Sequence, residues 1–290
     1  MFSKNTRFGI GLTVMLALAA LGSSCAKNPD DTVENKDKGK PYVSKNDEGT
    51  VTGKVSFAGT PPTAIPINTA ADPVCASKNP NLQSEENVIK DGKLANVFVY
   101  IKDGTLADKT KISDWSFKVP SEAVTLDQKG CQYVPHVVGI QVKQNLHVTN
   151  SDPTQHNIHP TPSKGNEEWN QTQPSGAAPI ERSFTNAEVV IPVKCNQHPW
   201  MKSYIGVLKH PFFAVSAADG TFTIKGVPPG SYTIAAWHEG GGKGTETTQK
   251  ITVGAKGNVT ADFSFGGTAS VQPSSLQMMP AIQFPTVGHH

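Results

Sequence analysis

Charge is scarce in this chain of 290 residues: 17% are Asp, Glu, Lys or Arg, and the formal net charge is +2. Binding to nucleic acid therefore has no electrostatic basis. Catalytic signatures are missing too. The chain holds no Gly-x-Ser-x-Gly, no phosphate loop and no His-Glu-x-x-His. Paired Glu167-Glu168 sit in a Lys-, Gly- and Asn-rich stretch that reads as solvated charge. No segment carries helical periodicity, which leaves strands as the building material. Cysteine numbers only four, and none stands in a Cys-x-x-Cys-His, so covalent haem has no support.

The one extended apolar run spans residues 8–21. It is too short for a confident membrane span and has the length of a signal-peptide core behind Lys4 and Arg7. It ends in Leu21-Gly22-Ser23-Ser24-Cys25, where small residues before a cysteine suit lipid attachment to Cys25. Ordinary cleavage after Ala26 is the competing reading. Residues 26–48 are rich in Lys, Asp and Asn with few large apolar side chains, as a disordered tether is. Export to a periplasm or cell envelope, with an N-terminal lipid anchor to the membrane, is the expectation.

What the chain does contain is a concentration of soft and borderline donors. Cys195-Asn196-Gln197-His198-Pro199-Trp200-Met201 places a thiol, an imidazole and a thioether within seven residues. A type 1 copper site needs two His, one Cys and a weak axial Met. The fourth donor would come from elsewhere in the chain, and His156, in Gln155-His156-Asn157-Ile158-His159, is available. A Cys-x-x-His is also half of a structural zinc site, but zinc would want a second such pair and has no use for Met201.

Between the tails the pattern is all-β. Val51, Val55 and Phe57 alternate with polar residues, and Ala95–Ile101 is apolar on both sides as an inner strand is. Further strands are expected at 138–142, 146–148, 189–193, 204–208, 222–224, 232–234, 251–253 and 259–263. Turns at Asp219-Gly220 and Pro228-Pro229-Gly230 punctuate them. Pro192, inside one strand, implies a bulge or an edge. Two packed sheets are the simplest solution.

The pair of segments His156-Asn157-Ile158-His159 and Cys195-x-x-His198-Pro199-Trp200-Met201 resembles the amicyanins and, more broadly, the plastocyanin-like cupredoxins. That resemblance implies a Greek-key β-sandwich over residues 91–209 and one copper ion held by His156, Cys195, His198 and Met201. Asn157 matches the asparagine that ties the two ligand loops together. Asn196 and Pro199 stand in the surrounding shell, Asn196 where many relatives carry a hydroxyl residue. His198 is expected to face outward at the loop tip and to pass electrons to a redox protein, with Trp200 as partner surface or as a shield for the metal.

A second resemblance lies in Asp219-Gly220-Thr221-Phe222-Thr223-Ile224 and Val227-Pro228-Pro229-Gly230-Ser231-Tyr232, which is similar to the carboxypeptidase regulatory-like (transthyretin-like) β-sandwich. Gly49-Thr50-Val51-Thr52-Gly53-Lys54-Val55 matches the usual first strand of such domains. Its parts would be 49–90 and 210–265, with the copper unit inserted in it or packed on it, and 266–290 as a flexible tail.

With Cys25 assigned to lipid and Cys195 to copper, Cys75 and Cys131 are left to pair in an oxidising compartment, or to stand as separate buried thiols. His136, His159 and His238 are read as hydrogen-bonded structural residues, and His147 and His210 as ordinary strand-end positions. The functional expectation is an electron carrier and not an enzyme. Copper delivery and an adhesive or scaffolding role for the second sandwich are the alternatives.

Overall fold

The computed structural model describes residues 39–240 and 244–266. The signal segment, Cys25, most of the tether and the tail lie outside the described residues. Among those described, no helix is long and apolar enough to cross a membrane.

The chain is all-β, as its alternation implies. A five-stranded sheet runs in the order Gln171–Gln173, His156–Pro160, Glu188–Lys194, Lys202–Leu208, Val137–Gln141. A four-stranded sheet of Ile180–Arg182, Leu146–Asn150, Val124–Gln128 and Tyr133–Val134 is the second sheet of this region. Leu126, Tyr133, Ile140, Leu146, Ile158, Ile191 and Ile205 form one continuous core, and Cys195 and Met201 belong to it. Strand patterning explains why: Leu146, Val148 and Asn150 are buried while His147 and Thr149 are half-buried. The ladder slips between Glu188 and Ile191, a bulge just before Pro192.

Two more sheets carry a second core. Phe213–Val215, Phe98–Leu106, Gly230–His238 and Thr245–Val253 form one. Thr221–Val227, Gly49–Ala58, Lys93–Leu94 and Ile89–Lys90 form the other, with Asn258–Thr260 and Phe263–Gly266 also pairing with Gly49–Ala58. Strands from both ends of the described chain thus pair with each other around residues 124–208.

The boundary expected at residue 91 moves. Phe98–Leu106 pairs with Gly230–His238 along its length, so this strand belongs to the flanking sandwich and not to the 124–208 region. An inner strand that is apolar on both faces fits either core, and its composition does not name its neighbour. The expected strand at 259–263 divides into two around Ala261 and Asp262, whose side chain accepts from the Lys54 amide.

The two sandwiches meet through aromatic rings laid on glycines. A Cβ at Gly206 would stand 2.3 Å from the Phe98 ring, and one at Gly139 the same distance from Phe213. Both glycines lie on paired strands of the five-stranded sheet, so the bare backbone is what lets those rings lie against it.

His210, two residues beyond the Lys202–Leu208 strand, is buried beside Phe117 and Phe212. Burial depresses its pKa to about 4, with backbone hydrogen bonds only partly offsetting that. Its contribution to stability is whole above the ordinary value of 6.5. As pH falls the unfolded chain takes up a proton that the folded chain refuses, so stability declines between about pH 6.5 and 4. The expected loss from this ring is about 2 kcal/mol between pH 7 and pH 5. Urea titrations at the two pH values should show it, and His210→Gln should flatten that part of the slope.

Candidate metal centre

His156 opens the His156–Pro160 strand, while Cys195, His198 and Met201 follow Glu188–Lys194 on the turn that leads into Lys202–Leu208. The turn closes on itself: the Cys195 amide donates to the Met201 carbonyl at 3.2 Å, and the Met201 amide to the His198 carbonyl at 2.8 Å. Buried Tyr133 anchors both segments, its hydroxyl donating to the carbonyls of Asn157 at 2.5 Å and Lys194 at 3.2 Å. Asn157 joins them directly. Its Oδ1 accepts from Cys195 Sγ at 3.3 Å and from the amides of Asn196 at 2.8 Å and Gln197 at 3.2 Å.

The ligand atoms of His156, Cys195 and His198 all lie within 4.8 Å of one another, and all three residues are buried. The two Nδ1 atoms are 2.9 Å apart, and Cys195 Sγ is 3.7 Å from His198 Nδ1. Donors that each stand about 2.0–2.3 Å from one ion must be spaced roughly so. Met201 is 1% exposed and packs in the same core.

Each imidazole is held from behind by a carboxylate. His156 Nε2 is 3.0 Å from Asp152 Oδ2, and His198 Nε2 is 3.0 Å from Asp72 Oδ2. A ligand imidazole whose far nitrogen donates to a carboxylate presents its other nitrogen as a lone pair. Once the proton shared between the two Nδ1 atoms is displaced, both Nδ1 lone pairs would converge with the sulfur, an arrangement of donors that suits a metal cation. Burial works against charge on His156, yet the Asp152 and Cys195 contacts outweigh it and push its pKa up to about 9. Burial would raise the Cys195 thiol, but hydrogen bonding from His156 and from the backbone of Asn157, His198 and Gln197 holds it below its ordinary value. His198 is lowered, chiefly by burial and with the charge of His156 adding to it, against the pull of Asp72.

Asp72 and Asp152 were not among the residues singled out from sequence. Asp72 is the N-cap of a short helix, Pro73–Lys78, its side chain accepting from the amides of Val74 and Cys75. The Asp-Pro step is a legible helix start, but six residues are too few to show periodicity. Asp152 Oδ2 also accepts from the Cys131 amide at 2.7 Å. Cys75 and Cys131 form a disulfide, which fixes the helix over the ligand loop.

His198 is therefore not outward-facing. It is 4% exposed and lies under a segment of its own chain. Trp200 is half-buried, its ring 5.0 Å from that of His198 and its indole N–H donating to the Cys131 carbonyl at 3.1 Å. Asn196 and Pro199 are exposed. His159 does not join the ligands; its ring contacts Asn196 Oδ1 at 3.1 Å and Glu168 Oε1 at 2.7 Å. His238 accepts from the Gly240 amide, and His147 pairs with Glu181. His136 lies against Glu239 at 3.0 Å.

A family model described as polysaccharide lyase family 4, domain II, matches residues 196–261, less than a quarter of the chain. No curated protein matches. Among solved structures, the chain is similar to a copper-containing nitrite reductase from Thermus scotoductus at 23% identity, covering 30% of this chain and 22% of that one, with a TM-score of 0.28. A variant amicyanin in its reduced Cu(I) form matches at 21% identity, covering 31% of this chain and 86% of that one, TM-score 0.27. A purple cupredoxin from Nitrosopumilus maritimus matches at 22% identity, covering 29% and 98%, TM-score 0.25. At these scores the interpretation rests on the site itself.

Proposed function

We propose that this protein is an exported type 1 copper electron carrier, with His156, His198 and Cys195 as the strong ligands and Met201 as the weak axial one. The observation that carries the reading is the convergence of two carboxylate-backed imidazole nitrogens and one thiol of lowered pKa on a single buried point. Soft sulfur with two imidazoles selects copper over harder ions. A copper ion so bound supplies one-electron chemistry. Three donors on a hydrogen-bonded loop and a fourth on the His156–Pro160 strand would change little between oxidation states and leave no position for a substrate, so the protein is proposed as a carrier and not an enzyme. Redox proteins are its proposed partners, and Cys25 its proposed lipid attachment in the periplasm or cell envelope. The flanking sandwich is proposed to be a transthyretin-like module.

The deciding experiment is a visible and EPR spectrum of the Cu(II)-loaded protein from residue 27 onward. An intense band in the blue to green range with a narrow copper hyperfine splitting is expected, while a colourless tetragonal spectrum would refute the thiolate ligand. Met201→Gln should keep the colour and shift the reduction potential, as cyclic voltammetry would read directly.

A further inference from the structure

Residues 59–88 make a folded excursion between Gly49–Ala58 and Ile89–Lys90. Its two limbs pair, the Ile67 amide donating to the Leu82 carbonyl and the Ser84 amide to that of Ile65. It carries the helix whose Asp72 occupies His198 Nε2, and the disulfide fastens it. The imidazole edge is closed by the protein's own chain, so a partner must approach the metal elsewhere.

The accessible approach lies beside Trp200. Trp200, Pro199 and Met201 line a cavity of about 240 Å³ together with Ile65, His136 and Glu85. Ile65 is 58% exposed, a large apolar side chain left at the surface next to a half-exposed indole. The polar part of this cavity is unbalanced. His136 Nε2 contacts Glu239 Oε2 at 3.0 Å, and Glu239 is itself buried. His136 Nδ1 is buried without a hydrogen-bond partner, its nearest charged neighbour being Glu85 Oε2 at 3.5 Å. Glu85 Oε2 accepts from Gln132 Nε2 at 3.1 Å, and Glu86 and Lys202 line the same cavity, so three carboxylates stand there beside one ammonium. Burial pushes the Glu85 carboxyl up, against the pull of His136. A lining of three carboxylates and one ammonium favours a further positively charged donor. A lysine ammonium brings three N–H groups and an apolar stem that lies against rings and aliphatic chains.

We propose that the redox partner of this protein docks over this cavity and not over His198, seating a lysine side chain against Glu85 and packing an apolar rim on Ile65, Pro199 and Trp200. The inference rests on the copper reading. Copper held by His156, Cys195, His198 and Met201 would exchange one electron with the partner's redox centre, with no bond made or broken.

The test uses hexaamminecobalt(III), a redox-inert trivalent cation rich in N–H donors, and then a lysine-rich cytochrome c, each followed by NMR on the isotope-labelled protein. Both should shift resonances of Glu85, His136 and Trp200. Glu85→Gln should weaken binding by about tenfold, as for loss of one charge contact. Lys202→Glu, at an exposed residue of the same cavity, should tighten it, and added salt should weaken it in all forms. Shifts centred on Asp72 and His198 would overturn the inference. So would binding of the cobalt complex without the cytochrome, which would make the cavity a small-cation pocket. The copper reading fails separately, by absence of the thiolate band in a protein that still binds both probes. A normal band with no binding defeats the docking surface alone.

Discussion

Cys195→Ser is expected to erase the visible band of the copper-loaded protein while leaving the fold in place. The hydroxyl is slightly smaller than the thiol, and Asn157 Oδ1, now 3.3 Å from Sγ, remains as its acceptor. Asn157 also keeps the Asn196 and Gln197 amides, so the loop retains its hydrogen-bonded frame. What is lost is the one anionic soft donor. Two imidazoles and a thioether are left, and that set holds oxidised copper poorly. Loss of an outer-shell partner alone commonly costs about 10–100-fold in metal affinity, so removal of a ligand should cost on the order of 100-fold or more. Optical titration with Cu(II), run beside a thermal melt of the copper-free protein, separates the two effects. Retained blue colour in the variant would refute the ligand assignment, and a collapsed melt would mean that Cys195 matters chiefly to the core it helps to fill.

Much of the site was legible because its key features are local. A seven-residue run holding a thiol, an imidazole and a thioether constrains its own chemistry, and His156-Asn157 lies in a segment of the same resemblance. Most long strands were legible for a related reason: alternation is written residue by residue. Partnership is not. Nothing in Ala95–Ile101 says which sheet it joins, and the 98–106 strand went to the flanking sandwich. Short strands of polar residues, such as Gln171–Gln173 beside the ligand strand, have no apolar signal to read.

The burial of His198 was beyond sequence for a further reason. Residues 59–88 are proline-rich, with scattered apolar residues, and read as a connecting loop. Their effect depends on one aspartate reaching a histidine 126 positions away. Asp152 stands only four residues before His156, yet a lone carboxylate near a histidine is too common to be informative until the geometry is known.

The largest energetic effect is expected at the other sulfur pair. The Cys75–Cys131 disulfide spans 56 residues, and in the chain-entropy model its removal costs about 4 kcal/mol. Its loss should also be felt at the metal. The Cys75 amide donates to Asp72 Oδ1 and the Cys131 amide to Asp152 Oδ2. Each half-cystine therefore supports the carboxylate that orients one imidazole of the candidate site. The double variant Cys75→Ser/Cys131→Ser should lower the denaturant midpoint and release copper to a chelator about 10–100-fold faster, the range for losing outer-shell support. Asp72→Asn separates the two contributions. It retains the disulfide and an oxygen to cap the helix, so stability should change little, while His198 loses its anionic partner and copper release should still quicken. Equal release rates in the double variant and the parent would mean that the excursion covers the site without gripping it. The closed imidazole edge would then be a matter of access alone.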